Sequence, residues 1–263
     1  MIQPSRSFDP VARLYAAARP DYPIAALDWL LPPEVHRVLD LGAGTGKLTR
    51  QLSDRGLDVV AVEPSPELGA ELSAYVPEAD LRPGGAEQIP LPDGDVDAVL
   101  VGQAFHWFDR DLALPEIARV LRPGGRLGLV WNFDDDSEPW VDALGEVTGT
   151  TARASHREPR GIEAPQFTDI QTIDLPHAQP LTADSLRALL QTHSFYLVQD
   201  QAARAEVLRR ADQLIGSHPD LAGRDSFTMP YVPRCWRVTR RGPASARQRR
   251  RTPRNAPALR QRR

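Results

Sequence analysis

The segment VLDLGAGTGK, at residues 38–47, contains the strongest structural signal in this chain of 263 residues. A predicted strand ends at Asp40, three glycines follow at alternate positions, and a helix is predicted to begin at Gly46. Glycines let the backbone turn sharply and bring its N–H groups, unobstructed by a Cβ atom, against a ligand. The segment therefore predicts a strand, a tight turn and a helix, with a cofactor lying over the turn.

Outward from this segment, short apolar runs alternate with segments of helical periodicity. The apolar runs predict strands at residues 37–41, 58–62, 97–101 and 126–131, with a weaker strand at 79–82. The segments between them predict helices at residues 46–55, 66–75 and 111–121. Strands that are apolar on both faces and separated by helices are typical of a parallel sheet covered on both sides. We therefore predict an open, doubly wound α/β fold.

The regions that flank this sheet predict further helices and two more strands. The helices are predicted at residues 9–18, 24–31, 139–150, 181–190 and 199–217, and the strands at 168–175 and 227–238. Thr182 is the predicted N-cap of its helix, and residues 151–166 are predicted to form an irregular loop. These patterns divide the chain into an N-terminal helical region at 1–35, a main domain at 36–239 with a helical insertion at about 181–218, and a tail at 240–263.

The net charge of -3 combines two regions of opposite sign. Residues 240–263 contain 10 arginines and no acidic residue. The other 22 of the 32 basic residues and all 35 acidic residues lie in residues 1–239, which therefore carry a formal charge of -13. So acidic a body argues against a nucleic-acid-binding domain. The tail has almost nothing to bury and is predicted to be a disordered basic appendage.

Composition also argues against secreted and membrane-spanning proteins. No window reaches the roughly 20 apolar residues that a membrane span requires. Residues 1–30 lack the basic start and apolar run of a secretion signal. The single cysteine, Cys235, can form neither an internal disulfide nor a thiolate zinc site. We expect a cytoplasmic protein with no membrane partner.

An acidic residue, Glu63, ends the second predicted strand 23 residues after Asp40. A carboxylate at that strand end can accept hydrogen bonds from both hydroxyls of a ribose. The glycine spacing differs from the Gly-x-Gly-x-x-Gly pattern of dinucleotide-binding folds. Lys47 is also not the lysine of a phosphate-binding loop, because Leu48 follows it where serine or threonine is required.

Together, Asp40, the three glycines and Glu63 resemble the S-adenosylmethionine site of class I methyltransferases. Further segments agree with the small-molecule branch that includes the methyltransferase type 11 domain: Tyr15, residues 19–23, residues 85–93, residues 102–109 and residues 119–125. The resemblance is strong over residues 8–132 and weaker beyond them. It implies a Rossmann-like, mainly parallel sheet of seven strands with an antiparallel last strand and helices on both faces.

The resemblance also implies S-adenosylmethionine as the cofactor and a role for each matching residue. The methionine portion would be held by Asp40, Gly42, Ala43, Gly44 and Gly46. Glu63 would hold the ribose, Ala86 and Glu87 would bracket the adenine, and Gln103 would lie under the sulfonium. Tyr15 and Arg19 would fold over the cofactor as a cover, with Arg19 facing a carboxylate. In many relatives an aspartate takes the adenine position, which here reads Gly-Ala-Glu.

The implied reaction is direct displacement of the methyl group by a small-molecule acceptor. A phenol, hydroxyl or amine acceptor needs a base, whereas a carboxylate does not. His106 is the histidine at the predicted pocket rim, and it is either the general base or a residue that packs beside Trp107. Gln103 would position the reacting groups.

Several residues near the predicted site allow two interpretations. Arg19 either faces the cofactor or caps a helix end, and Trp131 with Asn132 either forms the acceptor-pocket wall or packs in the core. Three consecutive acids at residues 134–136 suggest a cation site, but a solvated loop accounts for them better and we predict no metal. The remaining histidines have no metal-ligand spacing.

Two other functions compete with methyl transfer. A nucleic-acid-associated, non-enzymatic protein would bind phosphates through the arginine-rich tail. An NAD-dependent oxidoreductase would share the fold, although the glycine spacing argues against it.

Overall fold

The described part of the chain, residues 18–149 and 162–242 of a computed structural model, is built around one sheet of eight strands. The strands are β1 (Arg37–Leu41), β2 (Asp58–Glu63), β3 (Asp80–Pro83), β4 (Val96–Gly102), β5 (Leu121–Asp134), β6 (Phe167–Asp174), β7 (His177–Leu181) and β8 (Phe227–Arg240). Their order across the sheet is β3-β2-β1-β4-β5-β8-β6, and β7 also pairs with β8.

Helices cover this sheet in the described residues. They are α1 (Ile24–Leu30), α2 (Lys47–Ser53), α3 (Pro66–Tyr75), α4 (Arg110–Val120), α5 (Pro139–Thr148), α6 (Ala183–Gln191), α7 (Ser194–Leu197) and α8 (Gln201–Ser217). A short 3₁₀ turn at Phe105–Trp107 follows β4. The helix predicted at residues 9–18 and most of the loop predicted at 151–166 lie outside the described residues.

The five strands from β1 to β5 are mutually parallel, as the sequence predicts. β1 lies between β2 and β4, so the chain runs outward from β1 on one side and then crosses back to the other. Ligands of open α/β sheets bind where the strand order reverses in this way, outside the carboxyl ends of the strands. The inner strands β1, β2 and β4 are buried along nearly their whole length because helices cover both faces.

The sheet has eight strands, so the expectation of seven is wrong by one. The additional strand, β7, escapes prediction because Pro180 interrupts it and its residues are largely polar. Proline lacks the N–H that a central strand donates, but an edge strand tolerates it. β8 spans 14 residues and pairs β7 with its first half and β6 with its second half, in both cases antiparallel. Its antiparallel pairing with β5 confirms the predicted orientation of the last strand.

The helices predicted between residues 181 and 218 are present, and Thr182 caps the first of them as expected. Its hydroxyl accepts a hydrogen bond from Ser185 N at 3.2 Å, and the Ser185 hydroxyl lies 2.7 Å from Thr182 N. The last strand extends to Arg240, one residue beyond the predicted limit of the main domain, and the Arg240 side chain donates to the carbonyl of Leu121. Residues 243–263 of the predicted tail lie outside the described residues.

The helices α5, α6 and α8, here called the cap, pack around an apolar cluster separate from the core of the sheet. Trp140 and Leu144 of α5 meet Leu186 and Leu189 of α6 in this cluster, and Ala211 of α8 is fully buried there. The first half of β8 completes the cluster. The cap therefore forms a second layer that extends beyond the sheet.

Candidate functional site

A cavity of about 660 Å³ lies where the carboxyl ends of β1, β2, β4 and β5 face the cap. Its walls come from the glycine turn after β1, the residues that follow β4, the end of β5, and the helices α5 and α6. A cavity of this volume is within the range that accommodates small ligands in proteins. The fold therefore places this cavity at the position that the strand order predicts.

The glycine turn forms the floor of the cavity. Gly42 and Gly44 have φ angles of +73° and +58°, which L side chains rarely adopt, and both line the cavity. A Cβ atom on Gly42 would lie 2.8 Å from the Cβ of Ala104. Gly46 differs from them because it faces Leu72, which a Cβ would approach to 2.8 Å. Gly46 therefore serves helix packing and is not among the residues that line the cavity.

The N–H groups of the turn are used within the protein, contrary to the sequence-based expectation that they face a ligand. Gly42 N and Ala43 N donate to the carbonyl of Val62, at 2.8 and 3.1 Å, and Gly44 N donates to Glu63 Oε2 at 2.8 Å. A pyrophosphate requires such donors to be directed at the ligand. The N–H groups of Gly42, Ala43 and Gly44 are therefore not free to bind a pyrophosphate.

Asp40, at the end of β1, is a buried carboxyl on the cavity wall. Its Oδ2 accepts a hydrogen bond from the Thr49 hydroxyl at 2.6 Å. Burial, and secondarily the charge of Glu63, raises the pKa of Asp40 to about 7. A cation placed beside Asp40 would stabilise its ionised form and offset the free-energy cost of burying that charge.

Glu63 ends β2 and is also buried on the cavity wall. Its Oε1 accepts from Ser65 N at 2.9 Å, while Oε2 accepts from Gly44 N. These two bonds fix the orientation of the carboxylate on the cavity wall.

The residues predicted to contact adenine lie on the same cavity. Ala86 is buried, and Glu87 is exposed with its Oε1 2.9 Å from Asp109 N. This bond ties the segment after β3 to the segment after β4.

Gln103 follows β4 in a left-handed conformation with φ of +55°, and it lines the cavity. The backbone N–H of Gln103 donates to the carbonyl of Val130 at 2.9 Å, and this bond anchors the segment after β4 to β5. Non-glycine residues held in this conformation are concentrated at functional sites.

Beyond Gln103, aromatic rings line the cavity. The ring of His106 lies 4.4 Å from that of Trp107 and 6.5 Å from that of Trp131. Trp131 in turn packs edge-on against Trp236 at 5.4 Å. Trp131 thus lines the cavity and also packs against the core of the sheet, so the two sequence-based interpretations of this residue are compatible. Burial lowers the pKa of His106, so its imidazole is neutral at pH 7.

Residues 18–23, here called the strap, lie against both the sheet and the cap. Arg19 lines the cavity, and its guanidinium donates to the carbonyl of Thr192, the C-cap of α6, at 3.3 Å. Its position is therefore compatible both with facing a cofactor and with capping a helix end. The Lys47 ammonium lies 2.8 Å from the Asp21 carboxylate. The Gln51 side-chain amide accepts a hydrogen bond from the backbone N–H of Tyr22 and donates one to the backbone carbonyl of the same residue. Tyr15, the other predicted cover residue, lies outside the described residues.

The cavity also has lining residues that the sequence did not single out, among them Asp142, Leu189, His193 and Tyr231. Asp142 lies in α5 and Leu189 in α6, His193 lies between α6 and α7, and Tyr231 of β8 faces Asp134 of β5. Burial raises the pKa of Tyr231, and burial together with the charge of Arg19 lowers the pKa of His193. No local motif marks these positions.

The described residues contain no group of three or more potential ligands arranged to hold a metal ion. Asp135, in the acidic run, accepts hydrogen bonds from the backbone and hydroxyl of Ser137, whereas Asp134 and Asp136 line the cavity. Within residues 18–149 and 162–242, every helix is too short or too polar to cross a membrane.

Comparison with known proteins agrees with this geometry. A model of the methyltransferase domain matches residues 39–129. An uncharacterized methyltransferase of Mycobacterium tuberculosis is 46% identical over 240 residues, covering 89% of this chain and 96% of the relative. An uncharacterized methyltransferase-like protein of Schizosaccharomyces pombe is 34% identical over 227 residues, covering 82% of this chain and 89% of the relative. A solved structure, that of a proposed type II methyltransferase from Anaeromyxobacter dehalogenans, superposes with a TM-score of 0.60 at 25% identity and covers 86% of this chain and 98% of the other.

The chain belongs to the class I S-adenosylmethionine-dependent methyltransferases. Within that class it is a member of the methyltransferase domain family whose model matches residues 39–129.

Proposed function

We propose that this protein transfers a methyl group from S-adenosylmethionine to a small-molecule acceptor. The observation that carries the proposal is one cavity with two chemically different ends. One end has the buried carboxyls Asp40 and Glu63 and the backbone of the glycine turn. The other has aromatic rings under the cap, where a small acceptor would be shielded from water.

The residues of the first end fit the functional groups of this cofactor. Asp40 and the carbonyls of Gly42 and Gly44 would hold the ammonium, and Glu63 would accept from the ribose hydroxyls. Thr45 Oγ1, buried beside the turn, has no hydrogen-bond partner among the described residues and is a further group that a ligand can satisfy. The same residues do not fit the pyrophosphate of NAD, because the N–H groups of the turn are already used.

Other cavity residues take the roles that the family resemblance implies. Ala86 and Glu87 would contact the adenine, and Arg19 would face the methionine carboxylate from the strap. Gln103 would lie under the sulfonium, held in place by its bond to Val130. Tyr15 remains a proposed cover residue.

The bound cofactor supplies a methyl group made electrophilic by the sulfonium. The protein's contribution is alignment, because displacement needs the acceptor atom behind the methyl carbon and on the axis of the breaking bond. Gln103, the aromatic rings and the cap would fix that geometry and exclude water. His106, neutral at pH 7, would accept a proton from an acceptor that carries one.

Binding of S-adenosylhomocysteine is expected to depend on pH through Asp40. The free protein holds this carboxyl protonated below a pKa of about 7, and a bound ammonium would favour its ionised form. Binding would then release a proton, so that affinity rises by about eightfold from pH 6.0 to 7.5 and levels off above it. Calorimetry across this pH range measures the effect, and Asp40→Asn should remove it. An affinity that falls as pH rises would contradict the assignment.

Replacement of His106 tests the proton-transfer role. If the acceptor carries a proton on its reacting atom, His106→Ala should lower turnover by about 100-fold. The affinity for S-adenosylhomocysteine should change little, because His106 is not among the residues proposed to hold the cofactor. His36→Ala, at an exposed position outside the cavity, is the matched control. Unchanged turnover of the His106 variant would assign this residue to packing alone.

A screen with methyl-labelled S-adenosylmethionine tests the class of acceptor. Small amines, phenols, carboxylic acids, RNA and a protein mixture would be compared under the same conditions. The proposal expects label in a small molecule, because the cavity has a volume of about 660 Å³ and its described lining carries more acidic than basic side chains. Label found in RNA or protein alone would overturn the proposed acceptor class and leave the methyltransferase assignment intact.

A further inference from the structure

The part of the cavity beneath the cap, here called the acceptor end, is lined by three carboxyl side chains among the described residues. Asp134 ends β5, Asp136 follows it, and Asp142 lies in the first turn of α5. The cationic side chains among the described residues that line the whole cavity are Arg19 and Lys47. Six carboxyl side chains line the same cavity: Asp40, Glu63, Glu87, Asp134, Asp136 and Asp142.

The two cationic side chains have other roles to fulfil. Lys47 lies beside the glycine turn, and its ammonium is 2.8 Å from Asp21 of the strap. Arg19 would be matched by the carboxylate of the methionine portion, as proposed above. With the cofactor bound, carboxylates would therefore outnumber cations among the described residues of the acceptor end, and clefts lined by charge of one sign concentrate ligands of opposite sign.

Aromatic faces line the same region of the cavity. Its aromatic residues are Tyr22, His106, Trp107, Trp131, Phe133 and Tyr231. The faces of such rings attract ammonium groups, and they do so more strongly where water is excluded. Carboxylates and aromatic rings together bind an amine better than a carboxylate or a neutral alcohol.

Hydrogen-bond acceptors add a third, independent indication. Asn132 donates through Nδ2 to the carbonyl of Asp21 at 3.2 Å, which fixes the orientation of its amide. Its Oδ1 is buried and has no hydrogen-bond partner among the described residues. Asn132 lines the cavity, so this oxygen requires a donor from a ligand. An amine N–H is such a donor.

We propose that the methyl acceptor is a small amine, recognised by Asp134, Asp142 and the surrounding aromatic rings and methylated on nitrogen. This inference rests on the proposed methyltransferase function and narrows its acceptor. The amine would arrive as an ammonium and lose one proton to His106 or to water. Its nitrogen lone pair then forms the N–C bond to the methyl carbon as the S–C bond breaks and its electron pair remains on sulfur. The products are a methylated ammonium and a neutral thioether.

Calorimetric titration of the protein saturated with S-adenosylhomocysteine tests the inference with three probes of similar shape. Benzylamine is cationic, benzyl alcohol neutral and benzoate anionic at pH 7.5. We expect benzylamine to bind at least about tenfold more tightly than benzoate, with benzyl alcohol between them. Benzoate binding as tightly as benzylamine, or no measurable binding of benzylamine, would overturn the inference.

Variants on α5 test which carboxylate is responsible for the preference for benzylamine over benzoate. Asp142→Asn should reduce the preference for benzylamine over benzoate by about threefold, the effect of a partly exposed charge. Glu146→Gln, exposed one turn further along the helix and outside the cavity lining, should leave the preference unchanged. Equal effects of the two variants would contradict recognition within the cavity.

The preceding titration with S-adenosylhomocysteine separates the two levels of the proposal. Failure of that ligand to bind would remove the proposed function itself. Binding of that ligand without a preference for benzylamine would remove only the amine acceptor. A labelled product from an amine that survives alkaline hydrolysis, which releases the methyl group of an ester, would support methylation on nitrogen.

Discussion

Glu63→Gln is expected to lower the affinity for S-adenosylhomocysteine by about 100-fold, equivalent to about 2.7 kcal/mol. The carboxylate already accepts hydrogen bonds from Gly44 N and Ser65 N, and we propose that it also accepts from the ribose hydroxyls. A glutamine retains one accepting oxygen and directs an N–H₂ group toward the other donors. Hydrogen bonds to charged groups contribute about 1.5–3 kcal/mol each, so the loss is large.

Calorimetric titration measures this effect, and circular dichroism verifies that the variant remains folded. Glu34→Gln, which removes the same charge at an exposed position outside the cavity, should bind S-adenosylhomocysteine as the unmodified protein does. An affinity of the Glu63 variant within about threefold of the unmodified protein, where the arithmetic gives less than 1 kcal/mol, would contradict the ribose assignment.

Gly42→Ala is expected to lower the free energy of unfolding by about 3 kcal/mol. The φ angle of +73° disfavours an L side chain by about 1–2 kcal/mol. The new Cβ would also lie 2.8 Å from the Cβ of Ala104, and relief of such overpacking costs about 1–3 kcal/mol. Because the turn forms the cavity floor, the same shift should weaken cofactor binding. Urea unfolding monitored by circular dichroism gives the stability difference.

Gly56→Ala provides the matched control for this variant. Gly56 has a φ angle of +75°, but nothing lies within 4 Å of a Cβ atom built there. Its replacement should therefore cost only the conformational contribution of about 1–2 kcal/mol. Equal destabilisation of the two variants would show that the contact between residues 42 and 104 contributes nothing.

The cofactor end of the site could be predicted from sequence because its signals are local. The glycines between Asp40 and Gly46 alternate within one turn, and Glu63 closes the next strand. Both features depend on short-range backbone geometry and on the register of parallel strands. Their positions on one cavity follow directly from the order of β1 and β2 in the sheet.

Other properties of the site depend on contacts that the sequence does not display. The N–H groups of the glycine turn are directed at Val62 and Glu63, which is a property of the neighbouring strand. Gly46 has the same spacing as its companions, yet the packing of Leu72 assigns it a different role. β7 escapes prediction because Pro180 is tolerated only where the strand has a free edge.

The acceptor end illustrates the same limit more strongly. Asp142 comes from α5, His193 from the bend between α6 and α7, and Tyr231 from β8. Only tertiary packing of the cap against the sheet brings these residues to one cavity. The sequence contains no periodic signal for such a set, because its members share neither an element nor a spacing.

The central claim is that the cavity binds S-adenosylmethionine through the buried carboxyls of Asp40 and Glu63 and the backbone of the glycine turn. Calorimetric titration of the protein with S-adenosylhomocysteine and, in parallel, with NAD tests it most directly. We expect S-adenosylhomocysteine to bind with one site per chain and at least about 100-fold more tightly than NAD, a difference of about 2.7 kcal/mol. NAD binding as tightly as S-adenosylhomocysteine, or more tightly, would contradict it.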